Sequence, residues 1–137
     1  MVTLQSKSKT LHITLWLAQA LLAATLLMGA ALKFMPIDQI SVMMPWMGQV
    51  PVWKVRALGI IDLLGAVGLI LPTLLRIKPV LTPLAAVSVM VLMLCAIAFH
   101  VSRGEASGIG INIFSGLLAV YVGWGRFRKV PVLPKVR

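Results

Sequence analysis

The sequence predicts an all-α integral membrane protein, a bundle of four spanning helices with both the N-terminus and the C-terminus in the cytoplasm. Three observations predict it. First, 60% of the 137 residues are hydrophobic and 12% charged, with a mean hydropathy of +1.00. A soluble domain carries about 45–50% apolar and about 25% charged residues, which sets aside a soluble four-helix bundle. Second, four apolar runs, at about 11–33, 55–75, 80–101 and 106–125, approach the ~20 residues a helix needs to cross the hydrocarbon core. Third, the thirteen Lys and Arg are unevenly placed. Nine lie in the N-terminal tail, the 76–78 turn and the C-terminal tail, and four lie in the 33–56 connection and at position 103. The positive-inside rule then puts both ends inside. Residues 1–137 read as a single transmembrane domain of the inner membrane. The net charge of +10 is a topology signal and a contact with anionic headgroups, not a nucleic-acid footprint.

Residues 1–10 are polar and are expected to form a short flexible tail. The run from Leu11 to Leu32, stopped by Lys33, is longer than the apolar core of a signal peptide, about 7–15 residues, and reads as the first span. Gln19, Leu22, Leu26, Gly29, Ala30 and Lys33 share one of its faces, and Gln19 is expected to make a helix–helix hydrogen bond. Residues 34–54 hold Pro36, Pro45 and Pro51 and are too broken for one helix. Met43, Met44, Trp46, Met47 and Trp53 mark them as an interfacial connection, either lying over the mouth of the bundle or serving only as a bilayer anchor.

The second span, VRALGIIDLLGAVGLILP and the residues after it, has Pro72 as its expected closure. Its one acid, Asp62, lies about 9 Å deeper than Arg56 at ~1.5 Å per residue. A carboxylate at such depth costs about 2.5–3.5 kcal/mol by insertion scales, so it must face partners or water inside the bundle. Gly59, Gly65, Ala66 and Leu69 share its face, while Ile60, Leu64 and Leu71 point elsewhere; small residues beside the acid let another helix come close. Arg76 and Lys78 make a basic turn. Pro79 and Pro83 flank the start of the third span, whose Ala86, Val89, Met93, Ala96 and His100 share a face. Arg103, Gly104 and Glu105 form a tight loop. The fourth span carries a stripe of Glu105, Gly108, Asn112, Ser115, Gly116, Ala119 and Gly123, and a basic tail closes the chain.

This topology sends Lys33, Arg56, His100, Arg103 and Glu105 to the outer ends of their helices, with Asp62 and Asn112 one and a half to two turns further in. Three readings are open. The seven form an ion-pair and hydrogen-bond network that fixes helix register, or they line a pocket in the outer half where Asp62 and His100 exchange protons with a ligand, or the charged helix ends simply snorkel to the interface. Arg56 sits about 120° around the helix from Asp62, so the partner is expected from another helix, Lys33 first.

Other chemistries are disfavoured. Cys95 is the only cysteine, which excludes an internal disulfide and a C-x-x-C relay, and it is expected to be a small packing residue. His12 and His100 lie near opposite faces, so one chain cannot ligate a haem through two histidines. There is no Cys/His cluster for zinc, no phosphate loop or dinucleotide fingerprint, and little sign of the inverted repeats of secondary transporters.

LLMGAALKF in the first run, VRALGIIDLLGAVGLILP in the second, AFHVSRGE after the third and the Asn112 helix resemble the DoxX-like family of small four-helix membrane proteins, over nearly the whole chain. Members often carry Glu where this chain has Asp62, so the acid is kept with one methylene less reach. The family takes its name from a subunit of a quinone-linked thiosulfate-oxidising complex, and the resemblance implies the fold more strongly than any reaction. The expected function is an accessory subunit with a polar pocket for a quinone or another lipid-soluble small molecule. The alternative is a non-catalytic subunit that assembles or stabilises another membrane protein through its small-residue faces. Expected partners are the lipid bilayer, other membrane subunits and further copies of the chain. Lys33, Arg56, Asp62, His100, Arg103, Glu105 and Asn112 are the candidate site residues.

Overall fold

The structure is a computed structural model and describes residues 2–136. It is all-helical, and no strand occurs among the described residues. The helices are α1 (Val2–Lys33), α2 (Ile37–Met43), α3 (Val52–Leu75), α4 (Leu81–Ser102) and α5 (Gly110–Trp124). Short 3₁₀ turns cover Pro45–Gly48 and Ala106–Gly108, and a π-helical turn, Gly125–Lys129, extends α5.

Three helical segments are long and apolar enough to cross a membrane: Ser8–Lys33, Val52–Leu75 and Leu81–Ser102. α5 is shorter than the expected span over 106–125. Gly108 and Gly110 weaken helix formation there, and the helix proper starts only at Gly110. Its 15 residues rise about 22 Å, short of the ~30 Å hydrocarbon core.

α1, α3, α4 and α5 each bury part of the stripe expected of them, while Gly108 of the last stripe is exposed. On α1 the buried residues are Leu15, Ala18, Gln19, Leu22, Ala23, Leu26 and Ala30. On α3 they are Val55, Gly59, Asp62, Ala66, Leu69 and Thr73; on α4, Thr82, Pro83, Ala86, Val89 and Met93; on α5, Ser115, Ala119, Val122 and Gly123. The 3–4 residue spacing is that of a helix with one packed face. α1 packs on α3, α3 on α4, α4 on α5, and α5 returns to α1. The opposite faces expose Leu17, Leu64, Leu94 and Leu117, the surface a lipid tail would cover.

Further expectations are refined or corrected. The tail at 1–10 is helical from Val2, because neither Gly nor Pro interrupts the chain between Val2 and Lys9 and each added residue adds a backbone hydrogen bond. The 34–54 connection folds into α2 and the first 3₁₀ turn. There Ile40, Met47 and Val55 form a second small core with Leu32, Met35 and Trp46. Pro51 supplies the non-helical residue before α3, which therefore starts at Val52 instead of Val55. Pro72 does not close α3. Lacking an N–H, it frees the Gly68 carbonyl four residues back, and the Thr82 hydroxyl of α4 donates to it at 3.1 Å. Thr73 Oγ1 donates to Thr82 Oγ1 at 2.7 Å, so the proline becomes a docking point for α4. α3 ends at Arg76, whose φ of 56° and ψ of 32° turn the chain. Cys95, finally, is exposed and not packed.

Two glycines set how near the helices come. A Cβ on Gly68 would lie 2.9 Å from the Ala85 Cβ of α4, and one on Gly125 would collide with the Leu15 side chain of α1. Gly65 is close but less so, its Cβ meeting Leu26 at 3.2 Å and Val89 at 3.3 Å.

Candidate functional site

Asp62 faces the interior of the helix packing, 4% exposed. The last turn of α1 brings Lys33 to it, and Lys33 Nζ donates to Asp62 Oδ2 at 2.6 Å. The pair fits because Gly29 lies beneath it. A Cβ on Gly29 would stand 3.1 Å from Asp62 Oδ2 and 3.4 Å from Lys33 Nζ. Gly59 does the same one turn away, where a Cβ would meet the Phe34 ring at 3.0 Å and the Lys33 Cβ at 3.1 Å. Lys33 Nζ also leans on the Gly29 carbonyl at 3.5 Å. Asp62 Oδ1 receives no hydrogen bond from a described residue, and Lys33 keeps 17% of its side chain exposed. The centre is therefore a charge-assisted pair with one carboxylate oxygen unused.

Arg56 serves the same helix junction differently. Its Nη1 donates to the Lys33 carbonyl and, at 2.8 Å, to the Met35 carbonyl. The Lys33 carbonyl is one that a helix leaves without an intrahelical donor at its C-terminus, Met35 lies just beyond that end, and a cation there also meets the negative end of the helix dipole. Arg56 thus holds the end of α1 while Lys33 reaches inward.

His100, Arg103 and Glu105 form a separate cap. His100 Nδ1 lies 2.9 Å from Glu105 Oε2, and Arg103 Nε donates to Glu105 Oε1 at 3.1 Å. Arg103 Nη2 donates to the Gln49 side chain, and the Trp46 ring meets His100 edge-on at 5.9 Å between centroids. Trp46 and Gln49 of the connection therefore contact the end of α4 and the loop that follows it. The hydrogen bond with His100, followed by those with Arg103, holds the Glu105 carboxyl below its ordinary value. Asn112 is half-buried and makes no hydrogen bond with a described residue. The seven candidates thus resolve into an ion pair, a helix clamp, a loop cap and a solitary amide. His100 is engaged with Glu105, not with Asp62.

The opposite end holds a cluster that reading the sequence missed in part. Gln19, fully buried, donates from Nε2 to the Leu69 carbonyl at 2.6 Å, the helix–helix bond expected of it. Its Oε1 also accepts from Arg126 Nε at 2.7 Å. By charge Arg126 belongs to the basic tail that closes the chain, yet it is 3% exposed. Its Nη1 lies 2.9 Å from His12 Nδ1 and donates to the Val130 carbonyl at 3.3 Å. The signal available was Gly125: a glycine just before an arginine lets that turn pack against α1. A cavity of about 320 Å³, lined by Thr73, Lys78, Leu81, Arg126, Phe127 and Val132 among others, opens at this end. No cluster able to hold a metal ion occurs among the described residues.

The family model described as the DoxX-like family matches residues 17–122. No curated protein and no solved structure matches the chain.

Proposed function

The chain belongs to the DoxX-like family, and from that premise we propose that it is an accessory protein of the inner membrane. In this reading α5, lengthened by its π-helical turn, spans together with α1, α3 and α4, both termini are cytoplasmic, and the Lys33–Asp62 pair takes the polar end of a lipid-soluble small molecule. The observation that supports it is the pair itself, an acid in a membrane-length helix whose Oδ2 is held by Lys33 and whose Oδ1 has no donor among the described residues. Lys33 is a donor for a carbonyl oxygen, and the free carboxylate oxygen is an acceptor for a hydroxyl. A quinone and its quinol present those two groups, so they fit the donor set. Arg56 then keeps the end of α1, and with it Lys33, in place.

A second reading has its own support. Arg56, His100, Arg103 and Glu105 all make contacts within the chain, as a register-fixing network would. On that reading the protein is a non-catalytic subunit that stabilises a membrane partner. Native mass spectrometry of the gently extracted protein separates the two. A bound quinone-sized molecule, lost in Asp62→Asn while the variant still accumulates, supports the ligand reading. Copurifying subunits with no small molecule, unaffected by Asp62→Asn, support the assembly reading and overturn the first.

A further inference from the structure

We propose that Arg126 is the phosphate-binding residue of a site for an anionic phospholipid, at the end of the molecule where the 76–80 turn meets the C-terminal tail. The argument begins with a missing counter-charge. The chain has three acidic side chains. Asp62 is engaged with Lys33, Glu105 with His100 and Arg103, and Asp38 lies exposed on α2. None is left to neutralise Arg126, although its side chain is among the most buried polar groups of the protein. The acceptors it does have are neutral: the Gln19 amide oxygen, the Val130 carbonyl and His12 Nδ1. Since a guanidinium only donates, His12 Nδ1 must be the accepting nitrogen, so that imidazole is the neutral form. Trp16 offers a ring face at 5.7 Å, and Arg126 Nη2 is buried without a hydrogen-bond acceptor among the described residues. A buried cation held only by neutral groups calls for an anion from outside the chain.

The cavity beside Arg126 points to the source of that anion. Leu81, Phe127 and Val132 give it apolar walls that an inorganic ion would leave unfilled, and Lys78 lines it as well. Its roof is the C-terminal tail, tied across by Arg76 Nε to the Leu133 carbonyl at 2.9 Å and by the Lys135 N–H to the Arg76 carbonyl at 2.8 Å. Exposed Arg128 and Lys129 add positive charge on the same turn. An anionic headgroup on Arg126, with the lipid's glycerol and first methylenes against the apolar wall, meets both features. A guanidinium N–H suits a phosphate oxygen, and Nη2, on a side chain that lines the cavity, is the one guanidinium nitrogen of Arg126 with no acceptor among the described residues. A zwitterionic lipid carries its own cation and is the poorer match.

The test uses the full chain in a neutral detergent, with dioleoylphosphatidylglycerol, dioleoylphosphatidylcholine and inorganic phosphate as probes. Lipid retention is read by native mass spectrometry and midpoint temperature by thermal unfolding. The wild type should retain phosphatidylglycerol at least about tenfold over phosphatidylcholine and be stabilised by it. Arg126→Gln should bring the two lipids to parity. Val132→Trp, which fills the cavity and leaves Arg126 in place, should also weaken phosphatidylglycerol retention. Equal retention of both lipids by the wild type overturns the proposal, as does a preference that survives Arg126→Gln. Inorganic phosphate reproducing the whole stabilisation would mean an ion site and overturn the lipid assignment. Where Arg126→Gln does not fold, the wild-type ratio and Val132→Trp decide. None of these readouts involves Asp62, so the outcome is separable from the proposed function.

Discussion

Two of the three acids sit where a cation meets them, and the environments differ enough to give different behaviour. Asp62 is nearly sealed from solvent, and Lys33 reaches it from the helix above. Glu105 is half in solvent and is held by His100 first and Arg103 second. Because its folded pKa lies below the ordinary glutamate value, its contribution is present above that value and is lost as the pH falls through the folded pKa. Acidification below the ordinary glutamate range should therefore loosen the cap. Amide exchange at residues 103–109, corrected for the intrinsic rate, should accelerate there, and Glu105→Gln should abolish that step. A step of the same size in Glu105→Gln would assign it to another group. The Lys33 and Asp62 contact was legible in the sequence, because helical geometry placed Arg56 on the wrong side of its own helix. Arg126 was not, because charge alone assigned it to the tail; only the close approach at Gly125 puts it inside.

At the level of elements, glycine position matters more than glycine content. Gly116 belongs to the small-residue stripe of the fourth span, but a Cβ there would meet only the Met93 Cβ at 3.6 Å, an ordinary contact. Gly116→Ala should thus be neutral or slightly stabilising, since Ala is favoured over Gly in a helix by up to about 1 kcal/mol. Gly125→Ala should cost about 1–3 kcal/mol by forcing Leu15 away. Thermal unfolding of the solubilised variants checks the order, and equal damage at both positions would contradict it. Leu64→Phe, on an outward face, should be close to neutral. The buried faces of α1, α3, α4 and α5 were readable because a helix repeats every ~3.6 residues whatever its partner. The ends were not. Pro72 reads as a stop until Thr82 is known to satisfy the carbonyl it frees, and two nearby glycines shorten α5 in a way hydropathy does not register.

For the whole molecule, the proposed orientation rests on the nine-to-four split of basic residues. A reporter active only outside the cytoplasm should be silent when fused after Arg137 and active when inserted near Gln39; activity at Arg137 would reverse the placement of the Lys33–Asp62 centre. The central claim is that this centre is one buried pair on which the packing of α1 against α3 depends. A double-mutant cycle on the global stability of the detergent-solubilised protein tests it most directly. Lys33→Met alone should destabilise by about 3 kcal/mol or more by stranding the acid, and Asp62→Leu alone by a similar amount by stranding the lysine. The double replacement should recover part of that loss, because removing both members leaves no unpaired charge. A double variant whose destabilisation equals the sum of the two single losses would contradict the pairing.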